Sequence, residues 1–170
     1  AIEHWKAKDI DFSKILWKPE TESPKEIYNS SKQVHDVDKA LDNKIIKEAN
    51  DVILGKKASI QINKNIRNIN RSFGAMLSGE IAKKYGFEGL NEDSIVINLK
   101  GTAGQSFGTF LAKGVTLNLI GEGNDYVGKG LSGGRVIISP HNRKDYRSDK
   151  NIIVGNTVLY GAIAGECYIS

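Results

Sequence analysis

The feature that most constrains this chain is a repeat. Residues 95–114, IVINLKGTAGQSFGTFLAKG, align without a gap on residues 115–134, VTLNLIGEGNDYVGKGLSGG. Ile95 falls over Val115, Ile97 over Leu117, Leu99 over Leu119 and Leu111 over Leu131, while Gly101, Gly108 and Gly114 fall over Gly121, Gly128 and Gly134. The period is 20 residues, from Gly101 to Gly121. Apolar residues at alternate positions read as strands, because successive side chains of a strand point to opposite faces. Glycines at fixed offsets read as corners, where the backbone adopts a positive φ that other residues resist. No helical pattern separates the strands, and the LxxLxLxxN pattern of a leucine-rich repeat is absent. A stacked solenoid of β coils, each adding a strand above its predecessor, is the architecture that such a period predicts.

The repeat continues imperfectly for two more turns. Ile137 and Leu159 are expected to hold inward positions, Gly161 returns 40 residues after Gly121, and His141 misses the glycine column of the third turn. The corner assignment covers Gly101, Gly104, Gly108, Gly114, Gly121, Gly123, Gly128, Gly130, Gly133, Gly134, Gly161 and Gly165. Asn98 over Asn118 has two readings, amides stacked between coils or a pair facing solvent.

The same stretch spells two nucleotide motifs. Gly123 to Lys129 reads GxxxxGK, the start of a P-loop, and Gly128 to Gly133 reads GxGxxG, the dinucleotide fingerprint. A P-loop needs Ser or Thr after its lysine, and Gly130 stands there; both motifs need a helix next, whose N-terminal amides hold the phosphate. The next residues are instead Arg135-Val136-Ile137-Ile138-Ser139-Pro140, a β-branched run stopped by proline. Corner glycines in a repeated coil account for the stretch better than a phosphate cradle does. Lys129 alone has no role in that account, and an anion or nucleotide site using it is a further functional reading.

The first half of the chain has a different pattern. Residues 1–35 read as an irregular arm: Trp5, Ile10, Phe12, Ile15, Leu16 and Trp17 follow neither period, and Pro19 and Pro24 break the chain. Residues 36–92 read as a helical lead-in with a first coil. A helix is expected from an Asp38 cap, with Leu41, Ile45, Ala49 and Val52 on one face. A second is expected over 75–85, with Leu77, Ile81 and Tyr85 in a stripe and Gly86 as its stop. Between them Ile60-Gln61-Ile62 alternates as a short strand, followed by a polar turn region. Residues 93–170 hold the glycine-rich coils.

Composition excludes several functions. Cys167 is the single cysteine, so this chain cannot supply a CxxC site, a disulfide or an iron-sulfur cluster of its own. His4, His35 and His141 stand far apart with no metal-ligand spacing. The net charge of +4 is spread along the chain, and the densest basic run, His141 to Arg147, carries its own aspartate, so no nucleic-acid partner is expected. No apolar run approaches the roughly 20 residues that cross a bilayer, and no leader with a cleavage site is present; the expectation is no membrane partner and a cytoplasmic location.

GTAGQSFGTFLAKGVTLNLIGEGNDYVGKGLSGG, residues 101–134, resembles the carboxy-terminal GXGXG domain of the glutamate synthase large subunit. HDVDKALDNKII at 35–46, NIRNINRSFGAMLSGEIAKKYGFEGL at 65–90 and NIIVGNTVLYGAIAGECYI at 151–169 fall in family order, and HWKAKDIDFSKIL at 4–16 is similar to the segment leaving the FMN barrel. The resemblance implies a mainly β fold, a single-stranded right-handed parallel β-helix of about 20 residues per coil behind two short helices. It implies a scaffold without catalytic, cofactor-binding or metal-binding residues, inactive alone. That scaffold holds the amidotransferase and FMN synthase domains in register, in an enzyme that makes two glutamates from glutamine, 2-oxoglutarate and a reductant. FMN and an iron-sulfur cluster belong to the rest of that enzyme, and the segment around 35–46 resembles the NADPH-type oxidoreductase. The family's coils continue past the position of Ser170, so a chain stopped there is expected to cover its last strand with another copy, as a homo-oligomer, or to fray. The alternative is a stand-alone β-helical scaffold subunit of another multi-subunit oxidoreductase, as in formylmethanofuran dehydrogenase; an FMN barrel encoded before Ala1 separates the two.

Overall fold

A computed structural model describes residues 3–23, 27–141 and 147–170; Pro24 and the Asn142 to Tyr146 part of the basic run lie outside the described residues. The chain divides into two compact units, Ala1–Asp36 and Val37–Ser170. Among its described residues the first has no α-helix or β-strand. Its chain turns on short local bonds, with the Ala7 amide donating to the His4 carbonyl and the Leu16 amide to that of Phe12, both at 2.8 Å.

The second unit holds two helices, α1 (Leu41–Ile53) and α2 (Ala75–Tyr85), and five strands, β1 (Ile60–Ile66), β2 (Ile95–Ala103), β3 (Val115–Gly123), β4 (Ser132–Ser139) and β5 (Ala164–Ile169). The strands form one sheet in the order β1-β2-β3-β4-β5, and every pairing is parallel. The repeat period is the register itself: β2 pairs β3 from Ile95↔Val115 without a break to Ala103↔Gly123. Ile95, Ile97 and Leu99 are buried on one face with their partners Val115, Leu117 and Leu119. Fully burying a side chain of this size stabilises by about 1.5–3 kcal/mol, so a run of such pairs dominates the unit.

The later turns depart from the expected spacing. Thr116 pairs Arg135 where an unbroken period would bring Val136, and Arg135 then pairs Glu166, across a connection much longer than the repeat. Because side chains alternate faces, losing one residue exchanges which positions point inward. Val136 and Ile138 are therefore the buried residues of β4, and Ile137, expected inside, points out. Leu159 is also not inward: it lies in a turn with φ 60° and is 38% exposed. Gly161 does not continue the Gly121 column, because the Gly130 amide donates to the Tyr160 carbonyl and so sets Gly161 at the level of the Gly130 turn.

Helix α2 spans the expected residues, with Leu77 and Ile81 buried and Gly86 at its end with φ 60°. Helix α1 does not start from an Asp38 cap: residues Val37–Lys39 form a 3-10 turn, and the Asn43 side-chain amide donates to the carbonyls of Val37 and Asp38. The strand expected at Ile60-Gln61-Ile62 runs on to Ile66, pairing Gly101 at its end. Tyr85 ties the helices by donating its hydroxyl to the Ile53 carbonyl at 2.9 Å.

Asp42 makes a tie that no local pattern announces. The residue capping the start of α2 is Gly74, which has no side chain to do so, and the buried Asp42 carboxylate of α1 accepts from the Gly74 amide at 2.9 Å, with further backbone bonds from Leu77 and Met76. Burial pushes this carboxyl above its ordinary value, and the amides pull it back only in part. Asp42→Ala strands the helix amides without an acceptor and is expected to lower stability by about 1–3 kcal/mol, with Asp42→Asn costing less because it keeps one acceptor. Urea denaturation of the three proteins measures the order.

Candidate functional site

The stretch from Gly121 to Gly134 leaves β3, turns and enters β4, with no helix after it. Its amides are spent within the fold. Gly123 donates to Ile153, Tyr126 to Asn156, Gly128 to Phe107, Lys129 to Tyr126, Gly130 to Tyr160 and Leu131 to Gly128, each to a backbone carbonyl. A phosphate cradle needs such donors free and converging. The Lys129 ammonium lies 5.4 Å from the centre of the Tyr126 ring, a cation–π contact within its own turn.

These turns stack in a set pattern. Ser106, Gly108 and Phe110 all have positive φ, as do Tyr126, Gly128 and Gly130 one period later, and Thr157, Leu159 and Gly161 after them. Of the proposed corners, Gly101, Gly114, Gly121, Gly133 and Gly165 also have positive φ, whereas Gly104, Gly123 and Gly134 do not. Sequence reasoning gave the left-handed positions to glycine alone and missed Ser106, Phe110, Tyr126, Thr157 and Leu159. The signal was present in the repeat, where Phe110 aligns with Gly130. A Cβ on Gly130 would stand 2.4 Å from the Phe110 ring, so the ring of one turn occupies the space left by the next.

Close approach is most severe in the strands. A Cβ on Gly121 would lie 1.9 Å from the Gly101 carbonyl oxygen, and one on Gly101 would lie 2.2 Å from that of Ile66. Gly104 serves space rather than conformation: a Cβ there would stand 2.5 Å from the Asn68 carbonyl oxygen and 2.8 Å from that of Asn70. The Asn124 side-chain amide donates to the Asn68 side-chain oxygen at 2.9 Å.

Two polar constellations stand on the outward face of the sheet. In the first, the Asn118 side-chain amide donates to the Asn98 oxygen at 2.9 Å and that of Asn98 donates to the Asn63 oxygen at 3.0 Å. The amides therefore stack, and they do so at a surface that is half open. In the second, the Arg135 guanidinium meets Glu166, Asp93 at 3.0 Å and Glu92 at 4.0 Å, and the Thr116 hydroxyl donates to Asp93 at 2.6 Å. The Thr116 bond and the nearby guanidinium hold the Asp93 carboxyl below its ordinary value, and Glu166 first and then Asp93 raise that of Arg135. A concavity of about 250 Å³ beside this cluster is lined by Lys113, Gly114, Gly133 and Gly165. Added Cβ atoms at those glycines would meet Leu90, Lys113 and the Gly134 carbonyl, so the glycines answer to the packing of neighbouring segments. Among the described residues no group of three or more His, Cys, Asp or Glu side chains could hold a metal ion, and no helix is long and apolar enough to cross a membrane.

The stacked, glycine-dependent turns are the site's defining geometry, and residues 42–170 match the family model described as the GXGXG motif. The chain belongs to that family. It is 46% identical over its full length to the NADPH glutamate synthase large chain of Bacillus subtilis, of which it covers 11%. It is 46% identical over 97% of its length to the NADH glutamate synthase of Saccharomyces cerevisiae, covering 8% of that protein. A ferredoxin-dependent glutamate synthase of Cyanidium caldarium is 53% identical over 59% of this chain and 6% of its own length. The chain thus spans about a tenth of the length of these two glutamate synthases, of Bacillus subtilis and Saccharomyces cerevisiae.

Two measurements test this geometry. Gly121→Ala is expected to cost more than about 3 kcal/mol, because the backbones of adjacent strands must separate. Gly79→Ala, in the interior of α2 with nothing within 4 Å of the added Cβ, is expected to stabilise by about 0.5–1 kcal/mol. Thermal melts of the pair read both signs. Since the folded Asp93 value is depressed, its contribution is present above pH 3.8 and lost as pH falls below that. Asp93→Asn is expected to flatten this part of the acid-unfolding profile while shifting neutral stability by less than about 1 kcal/mol.

Proposed function

We propose that this chain is a right-handed parallel β-helix acting as an architectural domain of a glutamate synthase. In this reading its coils hold an amidotransferase domain and an FMN synthase domain in register, and the corner glycines turn the coils. The whole enzyme converts glutamine, 2-oxoglutarate and reductant into two glutamates in the cytoplasm, as part of nitrogen assimilation. The observation that carries the reading is the likeness to glutamate synthases over 97–100% of the chain, on a parallel sheet whose register repeats the Gly101 to Gly121 period.

Chemistry is assigned elsewhere in the polypeptide. A single cysteine cannot ligate an iron-sulfur cluster, and the polar side chains on the outward face of the sheet pair with one another. In this reading FMN and the cluster belong to the other domains, and the similarity of residues 35–46 favours NADPH as the reductant. The isolated chain is expected to be inert, while the full-length protein oxidises NADPH only when glutamine and 2-oxoglutarate are both present. Spectrophotometric assay of the two proteins decides it: turnover by the isolated chain, or none by the full-length protein with any of the three reductants of its relatives, overturns the proposal.

A further inference from the structure

We infer that Lys64, held in place by Glu48, guards the open edge of β1 against pairing with a second copy of this chain. Strand β1 ends the sheet, with β2 on one side only. The Ile60 amide donates to the Ser94 carbonyl at 2.9 Å, which fixes the phase of the parallel ladder. Ile60, Ile62, Lys64 and Ile66 therefore direct their backbone groups towards β2, and Gln61, Asn63 and Asn65 direct theirs away from it. Among the described residues no hydrogen bond meets those outward amides and carbonyls. A row of unpaired backbone groups of this kind is a template for another strand.

On the outward face the edge favours pairing. Gln61, Asn63 and Asn65 are exposed, uncharged amides. Asn63 already ends a ladder, its side-chain oxygen accepting from Asn98 at 3.0 Å as that of Asn98 accepts from Asn118 at 2.9 Å. Stacked amides of this type stabilise strands added side by side. The segment also matches itself. Two copies of β1 run antiparallel about Asn63 would set Asn63 against Asn63 and Gln61 against Asn65, with their outward backbone groups meeting, and would set Lys64 against Ile62.

Lys64 opposes this. Its row across the sheet is Lys64, Leu99, Leu119, Ile138 and Ile169, and Leu99, Leu119 and Ile138 are buried in the core. The neighbouring row, led by Ile62, runs through Ile97, Leu117 and Val136 without a charge. An ammonium thus stands where an inward, apolar row reaches the β1 edge. The Glu48 carboxylate of α1 meets it at 2.6 Å, and the two side chains remain 30% (Lys64) and 41% (Glu48) exposed. A strand added to β1 would lie about 4.8 Å away and cover this pair. It would strip water from both charges and set an isoleucine against the lysine. An inward-pointing charge on an edge strand is one of the devices by which sheets avoid joining edge to edge.

Sedimentation velocity of the full-length protein, run at increasing concentration, tests this. Lys64→Leu is expected to raise the associated fraction about tenfold or more over that of the unaltered protein, because the edge then continues its apolar row. Glu48→Gln, which breaks the ion pair but keeps the ammonium, is expected to sediment like the unaltered protein. Adding Asn63→Pro to the Lys64→Leu protein is expected to abolish the gain, since the Asn63 N–H points off the edge and its loss removes no bond to β2. A Lys64→Leu protein that associates no more than the unaltered one overturns the inference. So does equal association in Glu48→Gln, which would make the pair a mere tie between α1 and β1. Association that survives Asn63→Pro overturns it as well, since the contact would then lie elsewhere or between unfolded chains.

Discussion

The contact on which the rest of the structure depends is backbone against backbone at Gly121 and Gly101. There adjacent parallel strands approach so closely that a single methyl group on Gly121 would stand 1.9 Å from a carbonyl oxygen. Successive parallel strands must be brought into alignment by a short connection, without a helix to bridge them. The chain achieves this by turning through residues of left-handed conformation, stacked turn upon turn, with the amide of one turn donating to a carbonyl of the next. Once that stacking holds, the inward Ile, Val and Leu residues meet in register, and the hydrophobic term adds to it.

Because the turns consume their own amides, the glycine-rich stretch has nothing to offer a phosphate. The motif letters of a nucleotide loop and of a stacked corner coincide because both exploit glycine's access to positive φ. They differ in the element that comes next: a helix with free N-terminal amides in one case, a strand with paired amides in the other. Lys129, for which the repeat supplied no role, rests on Tyr126 of its own turn. The polar groups of the sheet behave alike, with Asn against Asn and Arg135 against its three carboxylates, binding one strand to the next.

Much of the strand architecture was legible because it repeats. The alternation of Ile95, Ile97 and Leu99 over Val115, Leu117 and Leu119 became strand register residue for residue. The limits of α2 were legible from Leu77, Ile81 and the stop at Gly86. Where the period slipped, reading by period failed: Ile137 was placed inward, but a repeat one residue shorter than its predecessor exposes it and buries Val136 and Ile138. Leu159 and Gly161 were misplaced because the last connection, between β4 and β5, is far longer than the repeat that served as its template.

By itself the sequence determined the period, the parallel stacking it implies, the inward faces of β2 and β3, and the family. These are local or periodic properties, carried by residue type at fixed spacing. Only the tertiary structure decided that Asp42 of one helix caps the other, that Phe110 fills the space above Gly130, that the Asn124 amide bonds Asn68, and that Arg135 gathers three acidic side chains. Each of these joins residues well separated along the chain. Their pairing depends on where the folded chain brings side chains into contact, and sequence spacing alone does not encode such distances.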